Sequence, residues 1–146
     1  MLTTFKVMRL LSVPIFHAFA APLALISAIR DGAPTIILPR FDKAEFLRLL
    51  PQYQITETAV VPPLLLAFLS YTPEEKAALK SLKLAWCGGA PLDLVTQNKA
   101  CQLFAPAARI VQVWGMTECG WISTFPFPEN DASGSVGRIM PGYEVK

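Results

Sequence analysis

Charge is scarce in this chain, and the charged residues it has do not cluster. Asp, Glu, Lys and Arg make up 16% of the 146 residues, hydrophobic residues make up 53%, and the formal net charge is only +2. Because no run of Lys or Arg forms a phosphate-tracking stripe, the sequence argues against a nucleic-acid partner. The mean hydropathy of +0.41 is high for a small domain. We therefore expect part of the apolar surface to lie inside something larger or to touch lipid.

Cysteine and histidine are also sparse. The three cysteines, Cys87, Cys101 and Cys119, are odd in number and have no spacing typical of a metal site. We interpret them as reduced, mostly buried thiols of a cytosolic protein. A catalytic cysteine would need a histidine base, and His17 is the single histidine of the chain, so such a pair stays open but unsupported.

Uninterrupted apolar runs of membrane-spanning length are absent, although the N-terminus comes close. Residues 1–30 mimic a signal peptide, with basic residues, an apolar run and a small-residue AFAA segment. Residues 12–29 contain no acid, Lys or Arg, but Pro14 and Pro22 interrupt them and His17 lies between the two prolines. We expect neither secretion nor membrane insertion, and a cytoplasmic or peroxisomal location.

What the chain does contain is a regular alternation of helix and strand patterns. Strands are predicted over 35–39, 55–62, 82–89 and 108–115, and helices over 22–32, 41–50, 62–70, 71–82 and 90–104. No periodic element is expected beyond Glu118. Such alternation predicts an α/β fold with a mostly parallel sheet, whose ligands bind outside the carboxyl ends of the strands.

Two glycines follow a predicted strand in CGGAPL, residues 87–92. Glycines at such a position let the backbone approach a ligand closely and present free N–H groups to it. A tight strand-to-helix turn is the simpler explanation from these residues alone. A phosphate-binding loop is excluded, because no Gly-Lys-Ser or Gly-Lys-Thr follows.

The stretch QVWGMTE, residues 112–118, ends another predicted strand. Trp114 could stack on a flat heteroaromatic ring, and Gly115 would let the chain turn sharply. The hydroxyl of Thr117 and the carboxylate of Glu118 suit a phosphate and its Mg²⁺. The alternative is a buried tryptophan beside a capped turn and a solvated glutamate.

His17, in VPIFHAFA, admits two interpretations. A lone histidine on an apolar face is commonly a satisfied core residue. In a dry pocket the same imidazole could instead donate a hydrogen bond to a carboxylate or phosphoryl oxygen.

Taken together, five stretches resemble the adenylate-forming (AMP-binding) acyl-CoA synthetases, and most closely their 4-coumarate–CoA ligase-like members. In chain order they are VPIFHAFA, RDGAPTIILPRFDKAEFLRLLPQYQITETAVVPPLLLAFL, LKLAWCGGAPL, QVWGMTE and GSVGRIMPGYEVK. The resemblance covers the chain from about residue 12 to residue 146. It implies an adenylation-domain core and an enzyme that joins a carboxylic acid to coenzyme A through an acyl-adenylate.

The resemblance also implies roles for particular residues. Trp114 would stack on adenine, where the family more often has Tyr, and Val113 stands where Gly is usual. The catalytic residues would be His17, Thr117 and Glu118, with Glu118 also holding Mg²⁺. Acyl-substrate contacts would come from His17, Phe19, Gly89 and Phe125. The residues that bind nucleotide or coenzyme A would be Gly88, Gly89, Ala90, Gln112, Val113, Trp114, Gly115, Thr117 and, near the coenzyme A phosphates, Arg40.

The implied partners are a carboxylic acid, ATP with Mg²⁺, and coenzyme A. The family's Ser/Thr/Gly-rich phosphate loop is not found upstream of VPIFHAFA, and its C-terminal lid domain with a catalytic lysine is not found either. We therefore expect residues 1–146 to form a partial adenylation domain that is inactive alone. The alternatives are a non-catalytic nucleotide- or acyl-binding pseudoenzyme and one half of a split enzyme completed by a complementary chain. The mixed aromatic and small pocket residues permit aryl or medium-length acids.

Overall fold

The computed structural model describes residues 4–130 and 133–146, and within them it forms one seven-stranded sheet. The sheet order is β2-β1-β3-β4-β5-β6-β7. The strands β1 to β5 pair in parallel, whereas β6 and β7 are antiparallel to their neighbours. The predicted α/β class with a mostly parallel sheet is confirmed. The strands are β1 (Arg9–Leu11), β2 (Thr35–Ile37), β3 (Glu57–Val60), β4 (Leu84–Gly88), β5 (Arg109–Met116), β6 (Gly120–Thr124) and β7 (Arg138–Ile139).

Helices connect the parallel strands, close to where the sequence predicts them. A π-helical segment, Pro22–Ser27, runs into the short α1, Ala28–Asp31, and the αL conformation of Gly32 ends it. The others are α2 (Lys43–Gln52), α3 (Pro62–Leu69), α4 (Pro73–Ala78), which continues as a 3₁₀ turn (Leu79–Ser81), and α5 (Leu94–Cys101).

Side-chain caps fix three of the helix starts. The Asp42 carboxylate accepts a hydrogen bond from the Glu45 backbone N–H at 2.9 Å, and Asp93 accepts one from Thr96 at 2.9 Å. Thr72 and Glu75 form a complete capping box at the start of α4. The capping residues therefore fix the positions at which α2, α4 and α5 begin.

The expectation that no regular element follows Glu118 is wrong. β6 pairs with β5 in an antiparallel hairpin, and β7 adds to the edge of β6. Both strands are short and lie among Gly, Pro and Ser residues, so their order comes from the pairing of β6 with β5 and of β7 with β6 rather than from a sequence pattern. β1 was not predicted either. The segment SVPIFH, which follows β1, is rich in turns and bends.

The sheet separates two hydrophobic cores. The larger core lies between the sheet and helices α2, α3 and α5, and includes Phe46, Phe68 and Phe104. The second core lies on the opposite face and contains, among others, Leu11, Phe19, Leu23, Trp86 and Val111. Successive residues of each strand point to opposite faces, which is why adjacent Leu10 and Leu11 belong to different cores.

A buried ion pair lies on the face of the second core. The Arg9 Nε atom is 2.6 Å from Glu57 Oε1, and both side chains are less than 5% exposed. Arg9 Nη1 also donates to the Leu23 carbonyl at 2.8 Å, and Trp86 Nε1 donates to Glu57 Oε1 at 3.0 Å. Because the two charges are paired and further hydrogen-bonded, the desolvation cost is compensated; removing one partner would cost about 3–5 kcal/mol.

The signal-like N-terminus does not form a spanning helix. Throughout residues 4–130 and 133–146, the structure contains no helix of sufficient length and apolarity to cross a membrane. The first three residues of the signal-like stretch lie outside the described residues.

The three cysteines are free and differ in their environment. Cys87 is buried in β4, Cys101 is half-buried and Cys119 is exposed. Burial raises the pKa of the Cys87 thiol from 9.0 to about 12, and burial also raises the pKa of Cys101. The expectation of free thiols is confirmed, and the expectation that they are mostly buried holds for Cys87 but not for Cys119.

We expect a thiol reagent such as iodoacetamide to label Cys119 first and Cys87 last at pH 8. A rise in pKa from 9.0 to about 12 lowers the thiolate fraction of Cys87 at that pH by about a thousandfold, and the thiolate is the reactive form. Mass spectrometry of the digested protein measures each site, and denatured protein, in which all three should react alike, is the control. Equal labelling of Cys87 and Cys119 in the folded chain would contradict this burial.

Candidate active site

A cavity of 340 Å³ lies at the carboxyl edge of the parallel strands, and we call it the site cavity. Its position is where an open α/β sheet binds its ligands. Seven of the residues that line it were singled out from the sequence: His17, Phe19, Gly89, Val113, Gly115, Thr117 and Glu118. The four other lining residues were not: Ala18, Met116, Gly120 and Trp121.

The hairpin of β5 and β6 carries the polar end of the site cavity. β5 continues to Met116, the turn occupies residues 117–119, and β6 begins at Gly120. Thr117 and Glu118 therefore lie at the exposed tip of the hairpin. The expectation that Gly115 turns the chain sharply is wrong, because this residue lies within β5, at a register shift of the ladder.

The reason for glycine at position 115 is a close approach of backbone. A Cβ atom on Gly115 would lie 3.0 Å from the carbonyl carbon of Gly120 and closer still to its oxygen. The register shifts at this point because β6 carries one extra residue, Ile122, that has no partner in β5. Gly115 thus permits the close approach of β6 at this shift without itself being the turn.

The two glycines after β4 serve two different purposes. A Cβ atom on Gly88 would lie 2.9 Å from two ring atoms of Phe19, so Gly88 leaves room for that ring. Gly89 lines the site cavity and has φ +87°, a conformation that L side chains rarely adopt. The tight turn and the close approach to the cavity are therefore both present.

His17 is exposed and lines the site cavity, so the interpretation as a satisfied core residue is wrong. Its backbone N–H donates to Pro14 O at 3.0 Å, and its Nδ1 atom accepts from the Phe19 backbone N–H at 3.1 Å. Because Nδ1 is the acceptor, the neutral ring carries its proton on Nε2. The free Nε2–H is then available to an oxygen of a ligand.

Gln112 lies on the other face of the sheet. Its side chain is buried, accepts from Leu92 N at 3.3 Å, and donates to Leu92 O at 3.0 Å and to Gln97 Oε1 at 3.1 Å. These bonds hold the segment between β4 and α5 against β5. The side chain of Gln112 therefore does not face the site cavity, although its position next to Val113 suggests it in the sequence.

Five other residues singled out from the sequence also lie outside the lining of the site cavity: Arg40, Gly88, Ala90, Trp114 and Phe125. Phe125 packs partly buried against the second core, and Ala90 and Arg40 are exposed. Trp114 is next to the cavity on β5, and 44% of its surface is exposed. The alternative of a buried Trp114 is thus wrong.

Trp121 and Tyr143, neither of them singled out from the sequence, make hydrogen bonds that shape the site. Trp121 lines the site cavity, and its Nε1 atom donates to Phe19 O at 2.8 Å. The Tyr143 hydroxyl donates to the Cys119 carbonyl, which ties the hairpin tip to the segment after β7. Only the place of Trp121 in the same short stretch as Trp114 could have pointed to it; nothing in the sequence pattern links Tyr143 to the tip.

The donor set at the hairpin tip suits a metal carried by a phosphate. Among the residues that the structure describes, no three His, Cys, Asp or Glu side chains cluster as a metal site. Glu118 would therefore be a single protein ligand. Mg²⁺ is commonly held by one or two carboxylates together with substrate phosphates and waters, so this arrangement fits Mg²⁺ that arrives with a nucleotide.

We expect Gly115→Ala to destabilise the chain by roughly 1–3 kcal/mol, the cost of forcing an atom into a space already filled. The added methyl group would collide with the backbone of Gly120, which cannot move as a flexible side chain can. Met116→Ala, an exposed neighbour on the same strand, is the matched control and should change the free energy of unfolding by less than about 0.5 kcal/mol. Urea unfolding measures both, and equal stabilities of the two variants would disprove the close approach.

Comparison with known proteins identifies the family of this chain. A family model described as AMP-binding enzyme matches residues 3–146. Phenylacetyl-CoA ligase epaB of Aspergillus niger is 50% identical over 145 residues, which cover 97% of this chain and 27% of the relative. Acyl-CoA ligase azaF of the same species is 48% identical with the same coverage. The chain thus spans about a quarter of the length of these curated relatives.

Solved structures agree on the fold. ATP-bound MatB from Rhodopseudomonas palustris matches with a TM-score of 0.77 and 25% identity, over 94% of this chain and 27% of that chain. The AMP complex of O-succinylbenzoate coenzyme A synthetase (MenE) from Bacillus subtilis matches with a TM-score of 0.73 and 22% identity, over 94% of this chain and 28% of that chain. Since the family model matches nearly the whole chain and the relatives are acyl-CoA ligases, this chain belongs to the AMP-binding, adenylate-forming enzymes.

Proposed function

We propose that this chain supplies part of the active site of an ATP-dependent carboxylic acid–CoA ligase. The observation that carries the proposal is the meeting of His17, Thr117 and Glu118 around one cavity at the carboxyl edge of the sheet. The hydroxyl and carboxylate lie at the hairpin tip, and the imidazole and the aromatic ring of Phe19 line the same space. A polar end beside an apolar wall suits the phosphate and the acyl group of an acyl-adenylate.

The proposed reaction has two steps. A carboxylate oxygen of the acid attacks the α-phosphorus of ATP, and pyrophosphate leaves with the electron pair of the broken P–O bond. The thiol of coenzyme A then gives its proton to water, and the thiolate sulfur attacks the acyl carbon. The bond between the acyl carbon and the phosphate oxygen breaks, and AMP leaves with its electron pair. Bound Mg²⁺ would neutralise charge on the phosphates.

The residues of this chain would hold the reactants rather than bond to them. Thr117 would donate its hydroxyl to a phosphate oxygen, and Glu118 would be the protein ligand of the Mg²⁺ that accompanies ATP. The Nε2–H of His17 would donate to a carboxylate oxygen of the acid, fixing which oxygen faces the phosphorus. Fixed donors of this kind stabilise charge in the transition state without reorganisation.

The acid that we propose is an aryl-substituted short-chain acid. In support, the site cavity has an aromatic wall and a volume of only 340 Å³, and a relative at 50% identity is named as a phenylacetyl-CoA ligase. 4-Coumarate, an arylpropenoic acid, belongs to the same size class. Coenzyme A, with Arg40 near its phosphates, and a cytoplasmic or peroxisomal location complete this proposal.

We expect the isolated 146-residue chain to show no ligase turnover. Within these residues there is no Ser/Thr/Gly-rich loop ending in lysine to hold the β- and γ-phosphates, so the partial adenylation domain would bind without reacting. Pyrophosphate release with ATP, Mg²⁺ and a panel of acids measures this, and boiled protein is the control. A rate well above that control would refute the expectation and show that the chain is sufficient. Restored turnover on adding a second polypeptide would favour the split-enzyme alternative.

We expect Trp114→Ala to weaken AMP binding by roughly 1–3 kcal/mol, the range for losing one base–aromatic stack. Trp114→Phe keeps a ring at the same place and should lose much less binding free energy for AMP.

Glu118→Gln keeps the shape of the side chain but loses its charge. We therefore expect it to leave the binding of metal-free AMP intact and to weaken the Mg²⁺-dependent part of ATP binding.

Isothermal titration of the variants with AMP and with Mg²⁺–ATP tests these expectations. Leu66→Ala, an exposed apolar truncation on α3, is the control for general effects. If Trp114→Ala leaves both affinities unchanged, Trp114 does not hold the base. Binding in the wild-type chain without turnover in any assembled form would favour the pseudoenzyme alternative.

A further inference from the structure

Trp121 lies between two cavities. One is the site cavity at the carboxyl edge of the sheet, with a volume of 340 Å³. The other has a volume of 890 Å³ and lies along the face of the second core, where Leu23, Glu57 and Trp86 line it; we call it the face cavity. Trp121 lines both cavities, so its indole lies in the boundary between them.

The boundary is built from three aromatic rings in sequence. Phe19 lines the site cavity, Trp86 lines the face cavity, and Trp121 packs between them. The ring centroids of Phe19 and Trp121 are 6.1 Å apart with the rings stacked, and those of Trp86 and Trp121 are 5.1 Å apart with the rings tilted. Spacings of this size are those of directly packed aromatic rings.

Hydrogen bonds hold both indoles in place. Trp121 Nε1 donates to Phe19 O at 2.8 Å, which fastens the indole to the segment that carries His17. Trp86 Nε1 donates to Glu57 Oε1 at 3.0 Å, and the Arg9 guanidinium holds the same carboxylate oxygen at 2.6 Å. Buried polar groups that are fully bonded resist rotation, because any other rotamer leaves a donor or a charge unpaired.

The ring of Phe19 is restricted as well. It lies against Gly88 so closely that a Cβ atom there would be 2.9 Å away, and only 8% of Phe19 is exposed. The three rings therefore form a wall of fixed shape rather than a flexible lid.

We propose that Phe19, Trp86 and Trp121 form a partition that limits the acyl group of this site to about one ring on a short chain, with Glu57 as the positioning residue for Trp86. The inference rests on the proposed function, since it takes the site cavity as the place of the acid. A volume of 340 Å³ is near the lower end of the roughly 300–1,000 Å³ range of small-molecule sites. The face cavity lies on the far side of Trp121, so the indole separates a longer acyl chain from that space.

The test uses the 146-residue chain and three probes: AMP, phenylacetyl-sulfamoyl adenosine and decanoyl-sulfamoyl adenosine. The sulfamoyl adenosines are unreactive analogues whose adenosine end fixes the head of the acyl group in the site cavity. Wild-type protein should bind the phenylacetyl analogue about tenfold more tightly than the decanoyl analogue, the scale at which pocket shape discriminates between substrates. Isothermal titration measures each affinity, and circular dichroism checks that each variant is folded.

Trp121→Ala should join the two cavities and remove most of that preference by strengthening decanoyl binding relative to phenylacetyl binding. Trp121→Phe, which keeps a ring and so protects the fold, should give an intermediate preference. Glu57→Ala should also reduce the preference by freeing Trp86, whereas Glu57→Gln, whose amide oxygen can still accept from Trp86, should retain it. Ile29→Ala, an exposed truncation on α1, is the matched control and should change nothing.

The possible failures are distinguishable. If AMP does not bind to the wild-type chain, the proposed function fails, and the inference fails with it. If AMP binds but the wild-type chain prefers the decanoyl analogue, or if folded Trp121→Ala and Trp121→Phe keep the wild-type preference, the partition does not set acyl length. Equal loss of preference in Glu57→Ala and Glu57→Gln would contradict the positioning role of Glu57 but not the partition itself.

Discussion

Arg9 and Glu57 form an ion pair in the interior, and four parts of the chain depend on its geometry. Arg9 belongs to β1 and Glu57 to β3, while the guanidinium also holds the carbonyl of Leu23 in the π-helical segment and the carboxylate holds the indole of Trp86 in β4. A buried charge without its partner would cost several kcal/mol, so these parts cannot move independently. The second core and the aromatic wall of the site are assembled on this pair.

The elements that could be predicted from the sequence are those whose signals are local. Three examples are Pro62 at the start of α3, the capping box of Thr72 and Glu75, and the apolar run of β4. In each case a few neighbouring residues are enough to indicate the element. β6 and β7 could not be predicted, because their strands exist only through pairing with β5 and its neighbour. The three-residue β1 was missed for a related reason: its burial is complete only because β2 and β3 flank it.

The location of the site could be predicted for those residues whose position is fixed by the end of a parallel strand. Gly89 follows β4, Thr117 follows β5, and Val113 lies in β5 beside the end of β4; because these two strands run in parallel, the three residues had to meet at one edge. The direction of a side chain is a different matter. Gln112 alternates to the opposite face of the sheet, where its amide bonds to Leu92 and Gln97. Trp121 reaches the cavity only because the hairpin folds it back beside Phe19, a contact between residues far apart in sequence.

The hydrogen bond between the Tyr143 hydroxyl and the Cys119 carbonyl gives the hairpin tip a mechanical link. Thr117 and Glu118 lie in the same turn, so displacement of the tip away from the sheet would have to break this bond or carry Tyr143 along. Loop tips of this size ordinarily fluctuate on the nanosecond to microsecond timescale. Here the tip is joined to the segment after β7, so a displacement of Tyr143 is transmitted to the Glu118 carboxylate, one residue from the tethered carbonyl, and to the Thr117 hydroxyl, two residues from it.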